Sequence, residues 1–95
     1  MVDDEFEWDD AKAAANLVKH GVSFELARLV FRDIARLESY DDRRDYGEDR
    51  FIATGEANGI ILVVAHTERE GRVRIISARR ATRYERQTYA ENRGN

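Results

Sequence analysis

Four side chains in the second half of the chain combine groups that bind a phosphate with groups that transfer protons. Arg79 and Arg80 end a predicted strand just before a helix cap, where guanidinium groups and backbone donors both favour a phosphate. His66 and Glu68 lie two residues apart on one face of the preceding predicted strand, and histidine titrates near neutral pH. We therefore take all four as candidate catalytic residues. The structural alternatives are salt-bridged arginines and a core histidine.

Basic charge is concentrated in one segment of an acidic chain. The net charge is −3, yet residues 69–86 contain seven arginines and only two glutamates, a local net of +5. Residues 1–10, in contrast, contain six acidic residues and no basic one. Because ions screen over short distances, a local cluster of this kind binds polyanions on an acidic protein. We expect the arginines to gather in one cationic pocket; the alternative is that they pair with the acidic N-terminus.

A second group of basic residues is a candidate for binding an anionic polymer. Arg72 and Arg74 belong to the arginine-rich segment, and Lys12 and His20 fall on a polar stripe of the first predicted helix that also includes Asn16 and Lys19. The alternative interpretation of this stripe is a solvated helix face, with His20 interacting with the negative end of the helix dipole.

Composition excludes several classes of protein. The absence of cysteine excludes disulfides and cysteine-ligated zinc, and there is no glycine-rich phosphate loop or helical pair of histidines. We expect no metal and no cofactor. The acidic N-terminus is unlike a secretory signal, and the longest apolar run, residues 60–65, is too short to span a membrane. We expect a single cytoplasmic domain over residues 1–95.

The spacing of apolar residues predicts a strand and two helices in the first part of the chain. Phe6 and Trp8 alternate with acidic residues, which is typical of a short strand. Asp9 or Asp10 begins a helix that Gly21 ends, and Ser23 begins a second helix that extends to Ile34. The predicted apolar stripe of the first helix comprises Ala11, Ala14, Ala15 and Val18.

The second part of the chain predicts a sheet and a final helix. A short strand over residues 35–40 and a polar loop over 41–49 precede strands at 50–57, 60–67 and 72–79, which Asn58-Gly59 and Glu70-Gly71 join as tight turns. On the last strand, Val73, Ile75 and Ser77 should share one face. Thr82 and Glu85 form a capping box. The fold class is α+β, with an N-terminal strand and helical hairpin, an antiparallel β-meander and a C-terminal helix.

Two well-separated segments of the chain form long motifs. The opening segment is Phe6-Glu7-Trp8-Asp9 with Lys12, Asn16, residues 19–24 (KHGVSF) and Ala27. The closing segment is residues 74–82 (RIISARRAT) with Glu85 and Tyr89, and residues 50–53 (RFIA) and Gly55 fit between the two. Together they resemble the signatures of the BrnT family of bacterial toxins.

This resemblance implies properties that composition and periodicity do not provide. It implies a RelE-like toxin fold and an endoribonuclease that cleaves RNA without a metal or a ribosome. It also implies neutralisation by a BrnA-like antitoxin, whose ribbon-helix-helix part binds operator DNA. The alternative function is a non-catalytic RNA- or antitoxin-binding module that acts as a transcriptional corepressor.

Overall fold

The computed structural model describes residues 1–43 and 45–93, and their fold class is α+β, as predicted. One mixed five-stranded sheet carries three α-helices and a short 3₁₀ helix within this part of the chain. The elements in chain order are β1 (Phe6–Glu7), α1 (Asp10–His20), α2 (Phe24–Ala27), the 3₁₀ helix (Arg28–Arg32), β2 (Leu37–Tyr40), β3 (Phe51–Ala57), β4 (Ile60–Arg69), β5 (Arg72–Arg80) and α3 (Arg83–Arg93).

The sheet has the order β1-β5-β4-β3-β2, which makes β4 the central strand and β2 an edge strand. Strands β2 to β5 pair antiparallel and confirm the predicted meander, whereas β1 pairs parallel to β5. Both predicted tight turns are present, since Asn58 and Glu70 have φ of 50° and 52° and a glycine follows each. The capping box at the start of α3 is also confirmed, by the bond from the Thr82 amide to Glu85 Oε1.

Helix α1 packs on the sheet through a polar residue, so its predicted apolar stripe is wrong. Asn16 is buried, and its amide nitrogen donates to the carbonyl oxygens of Val22 and Ala78 at 2.9 and 2.8 Å. Its Oδ1 accepts from the Ala78 amide at 3.1 Å. Strand β1 reaches only Val73 and Arg74, so the backbone edge of Ala78 needs another partner, and Asn16 provides it. Val18 on the opposite side is consequently 89% exposed.

The second helical segment ends earlier than predicted. The 3₁₀ helix stops at Arg32, and Ile34 is fully exposed instead of belonging to the core. The chain turns here because the Asp33 carboxylate accepts from the Ala35 amide, the Glu56 amide and the Tyr89 hydroxyl. Asp33 therefore joins the end of the 3₁₀ helix to β3 and α3.

A β-bulge in β5 changes which side chains share a face. Ala65 pairs with Ser77 and His66 with Ile75, so Ile76 has no partner of its own on β4. The predicted grouping of Ser77 with Val73 and Ile75 is therefore wrong. Beyond the bulge Ala78 joins the buried core, and Ser77 lies on the other face with Arg79.

The hydrophobic core lies between one face of the sheet and the helices. Its largest members include Trp8, Phe24, Val30, Leu62 and Val64, and the rings of Trp8 and Phe24 meet edge to face with centroids 5.8 Å apart. Within the described residues no helix has the length and apolar character needed to cross a membrane.

The docking of α1 generates a test of stability. Replacing Asn16 with alanine leaves the Ala78 amide and carbonyl without partners, so we expect the free energy of unfolding to fall by about 2–3 kcal/mol. Val18→Ala on the exposed side of the same helix should change it by less than about 0.5 kcal/mol. Urea unfolding of both variants measures the difference, and a larger loss for Val18→Ala would contradict this packing.

Candidate functional site

The face of the sheet that α1 and α2 leave uncovered contains a cavity of about 300 Å³, the open-face cavity. Its floor is a row of side chains paired across four strands, namely Ser39, Ile52, Ala65 and Ser77. Glu85 of α3 lies on one side of this floor, and the segment after β2 lies on the other. These small side chains leave room above the sheet for a ligand to reach charged groups at the rim.

Arg79 lies at the rim of the open-face cavity and is held by two parallel hydrogen bonds. Its two terminal nitrogens donate to the Glu85 carboxylate oxygens at 2.7 and 2.9 Å. The guanidinium lowers the pKa of Glu85 to about 2, and the same bond raises the pKa of Arg79. The Arg79 side chain remains 41% exposed, so a charged and oriented guanidinium faces the cavity.

A second guanidinium at this cavity belongs to a residue that the sequence analysis missed. Arg43 forms a bidentate pair with Asp41 at 2.8 and 2.9 Å, and the Arg43 side chain is 75% exposed whereas that of Asp41 is 2% exposed. The hydrogen bond from Arg43 holds the pKa of Asp41 well below its usual range. The polar composition of residues 41–49 indicated a loop, and no spacing in the sequence singled out Arg43.

His66 and Glu68 line a different cavity of about 380 Å³, the histidine cavity, with Glu38, Ser39, Tyr40 and Phe51. The imidazole lies against the rings of Phe31 and Phe51, with centroid distances of 4.9 and 5.8 Å. Burial lowers the pKa of His66, and its Nε2 is 3.9 Å from Glu38 Oε1. Since Phe31 belongs to the helical layer, this cavity and Arg79 lie on opposite faces of the sheet.

The other arginines of the cluster have separate positions, so the expectation of one cationic pocket is wrong. Arg80 follows Arg79 on the strand and lines a third cavity with Ile60 and Arg86. Arg74 forms an ion pair with buried Glu7 at 2.7 Å, and the Arg72 Nε donates to the Asp3 carbonyl. The alternative interpretation, pairing with the acidic N-terminus, therefore holds for Arg72 and Arg74, because Arg72 holds the segment before β1 and Arg74 holds β1 itself.

The remaining candidates lie on α1. Lys12 is exposed and His20 is half-buried, while Asn16, which the sequence analysis placed on the same polar stripe, is buried beneath the helix. This stripe is therefore not a continuous binding edge. Among the described residues no group of three or more histidine, aspartate or glutamate side chains is arranged to hold a metal ion.

A comparison with protein families identifies the family of this chain. A model of the family described as the ribonuclease toxin, BrnT, of type II toxin–antitoxin systems matches residues 8–85. The matched segment includes both cavities' principal side chains, from Glu38 to Glu85. No curated protein matches the chain.

The buried imidazole generates a second test of stability. Both ring nitrogens of His66 lack hydrogen-bond partners among the described residues, which is costly for a buried group. We expect His66→Phe to keep the contact with Phe31 and to raise the free energy of unfolding by about 1 kcal/mol at pH 7.5. A loss of more than about 1 kcal/mol would contradict this description of the site.

The same pair of proteins should differ in the pH dependence of stability. Because the pKa of His66 is lowered from 6.5 in the folded state, the unfolded state binds the proton more readily. The wild-type protein should therefore lose stability, relative to His66→Phe, as pH falls from about 7.5 to about 5.5, above the usual range of carboxylates. A constant difference between the two unfolding curves over this range would contradict the lowered pKa.

Proposed function

Since the chain belongs to the BrnT family of ribonuclease toxins of type II toxin–antitoxin systems, we propose that it is an endoribonuclease whose open-face cavity binds the scissile phosphate. Cleavage on this proposal needs neither a metal ion nor a ribosome. The fold is proposed to be RelE-like, and the toxin to act on RNA in the cytoplasm.

One observation carries this proposal: two guanidinium groups are oriented towards the same cavity, each by its own carboxylate. Glu85 holds Arg79 and Asp41 holds Arg43, and each guanidinium stabilises the ionised form of its carboxylate, whose pKa is lowered. Each bidentate pair fixes the plane of its guanidinium and leaves other N–H donors available. The two positive charges are close enough for Arg43 to oppose the rise in the pKa of Arg79.

This arrangement suits the charge that develops during transphosphorylation. The ribose 2′-hydroxyl loses its proton and attacks the adjacent phosphorus, the bond to the 5′-oxygen breaks, and that oxygen takes up a proton. Negative charge accumulates on the non-bridging oxygens in between. Preorganised donors that face this charge supply a large share of catalysis in such reactions. We assign this role to Arg79, assisted by Arg43.

The open-face cavity contains no strong base for proton transfer at a phosphate held by Arg79 among its described lining residues. Asp41 and Glu85 accept hydrogen bonds, but carboxylates with such low pKa values are weak bases. His66 and Glu68, the predicted proton-transfer residues, line the histidine cavity and do not reach a phosphate held by Arg79. Their catalytic role stays a prediction that requires the scissile phosphate to enter the histidine cavity instead.

The proposed partner is a cognate BrnA-like antitoxin, with operator DNA bound only through its ribbon-helix-helix part. An acidic antitoxin segment suits the exposed guanidinium groups of Arg43 and Arg79, and its binding there would exclude RNA. Arg72 and Arg74 contribute less to this surface, because they hold the N-terminal segment and β1 against β5.

Substitution of Arg79 tests the assignment of the phosphate site. We expect Arg79→Ala to lower the rate of RNA cleavage by about 100-fold, because one oriented donor group to the transition state is lost. Arg32→Ala, which removes an exposed arginine from the helical layer, is the matched control and should cleave as the wild type does. If Arg80→Ala abolishes cleavage and Arg79→Ala does not, the phosphate binds at the other face of the sheet.

Cleavage of a purified synthetic RNA separates the proposed activity from the alternative. The wild-type protein should cut this RNA in the presence of EDTA and without ribosomes, as gel analysis of the fragments would show. The charge at the cavity comes from arginine, so chelation should not lower the rate. A protein that binds its antitoxin on operator DNA but leaves the RNA intact in both EDTA and magnesium would instead be the non-catalytic corepressor.

A further inference from the structure

The histidine cavity has an unusual set of hydrogen-bonding groups. Glu38 and Glu68 contribute two carboxylates, and none of the six lining residues, all within the described part of the chain, is an arginine or lysine. Arg36, behind this lining, forms an ion pair with Glu38 at 3.5 Å, which leaves Glu68 as the carboxylate without such a pair in this cavity. Such a cavity repels a phosphate and favours a neutral ligand that donates hydrogen bonds. Tyr40 and Phe51 add aromatic surface, with ring centroids 5.7 Å apart. Aromatic side chains and hydrogen bonds to base edges are the usual means of binding unstacked RNA bases.

The floor of the cavity contains a buried polar group that has no hydrogen-bond partner within the described residues. The His66 side chain is 7% exposed, and neither of its ring nitrogens forms a hydrogen bond within the described residues. Buried polar groups without partners are rare, and a bound ligand is one explanation for them. Because the imidazole is buried and its pKa is lowered, it is neutral at pH 7 and offers one acceptor nitrogen.

We propose that the histidine cavity is a guanine-binding subsite of the toxin, in which Glu68 and Glu38 accept hydrogen bonds from the base above the imidazole of His66. The proposal rests on the function proposed above, since the base belongs to the RNA substrate. Guanine fits because its N1–H and N2–H₂ donors are adjacent on one edge and match the two oxygens of one carboxylate. Adenine, cytosine and uracil each lack this pair of donors.

One RNA strand that passes around the edge strand β2 reaches both cavities. Ser39 and Tyr40 of β2 line both, although the cavities lie on opposite faces of the sheet. Arg79 on β5 lies three strands from β2, or about 15 Å at about 5 Å per strand, so several nucleotides separate the bound base from the reacting phosphate. The base in the histidine cavity would then select the sequence, and the phosphate beside Arg79 would react. Specificity and cleavage on this arrangement depend on different residues.

Nucleotide binding tests the subsite without any need for cleavage. Guanosine, inosine and adenosine monophosphates are titrated into the wild-type protein, and the His66 imidazole resonances are followed by NMR. We expect guanosine monophosphate to bind about tenfold more tightly than inosine monophosphate, which lacks the N2 amino group, and adenosine monophosphate to bind most weakly. Equal affinity for all three, or no shift of the His66 resonances, would overturn the proposal.

Variants assign the selectivity to particular side chains. Glu68→Gln should remove most of the preference for guanosine over inosine, because an amide offers only one acceptor oxygen. Glu70→Gln, which makes the same change of charge in the adjacent turn, should retain the preference. If Glu70→Gln loses as much selectivity as Glu68→Gln, net charge rather than a base contact determines binding, and the subsite is wrong.

Cleavage of RNAs that differ at single guanines separates this proposal from the proposed function. We expect the wild-type protein to cut at a guanine at least about tenfold faster than at the same position carrying hypoxanthine or adenine. Equal cleavage of the three RNAs would overturn the subsite and leave the proposed activity standing. Guanosine-selective binding by a wild-type protein that never cuts RNA would instead refute the proposed activity and leave the subsite established.

Discussion

The fold depends on which groups form hydrogen bonds with the backbone amides and carbonyls along the outer edge of β5. Strand β1 pairs with Val73 and Arg74 only, and the amide and carbonyl of Ala78 bind the side chain of Asn16 beyond it. A single buried amide thus continues the pairing of the sheet and fixes α1 against it. The strand whose edge is held in this way is also the strand that presents Arg79, so the packing of the first helix determines where the guanidinium lies.

A one-residue irregularity in the sheet divides the chemistry between two faces. The bulge at Ile76 places Ser77 and Arg79 above the open-face cavity and keeps Ile75 and Ala78 in the core. On β4, which has no extra residue, ordinary alternation places His66 on the helical side with Leu62 and Val64, against Phe31. Local geometry therefore separates an oriented cation from an unpaired imidazole, although the two residues belong to neighbouring strands. The sheet itself separates their cavities, because adjacent residues of β2, β3 and β4 line opposite faces.

The sequence predicted the elements of this fold better than the contacts between them. Capping residues and tight turns act locally, so Ser23, Gly21 and the turns at Asn58 and Glu70 could be assigned from spacing alone, and the first cap could be narrowed to Asp9 or Asp10. The orientation of α1 could not, because the buried position of Asn16 depends on an unpaired strand edge 62 residues away. The bulge at Ile76 left no pattern in β5, and Arg43 reaches the cavity through a loop. The pairing of Arg74 with Glu7 likewise joins distant segments.

The contacts that hold α3 control how much of the positive charge of Arg79 is neutralised at the open-face cavity. This helix is joined to the rest of the molecule largely by polar contacts, namely Tyr89 with Asp33, Arg93 with Glu56 and Glu85 with Arg79. Segments held in this way exchange amide hydrogens through local unfolding more readily than the central strands do. Each such opening removes Glu85 from Arg79 and leaves an uncompensated cation on the rigid sheet. The strength of anion attraction at this surface is therefore coupled to the fraction of time that the terminal helix spends detached.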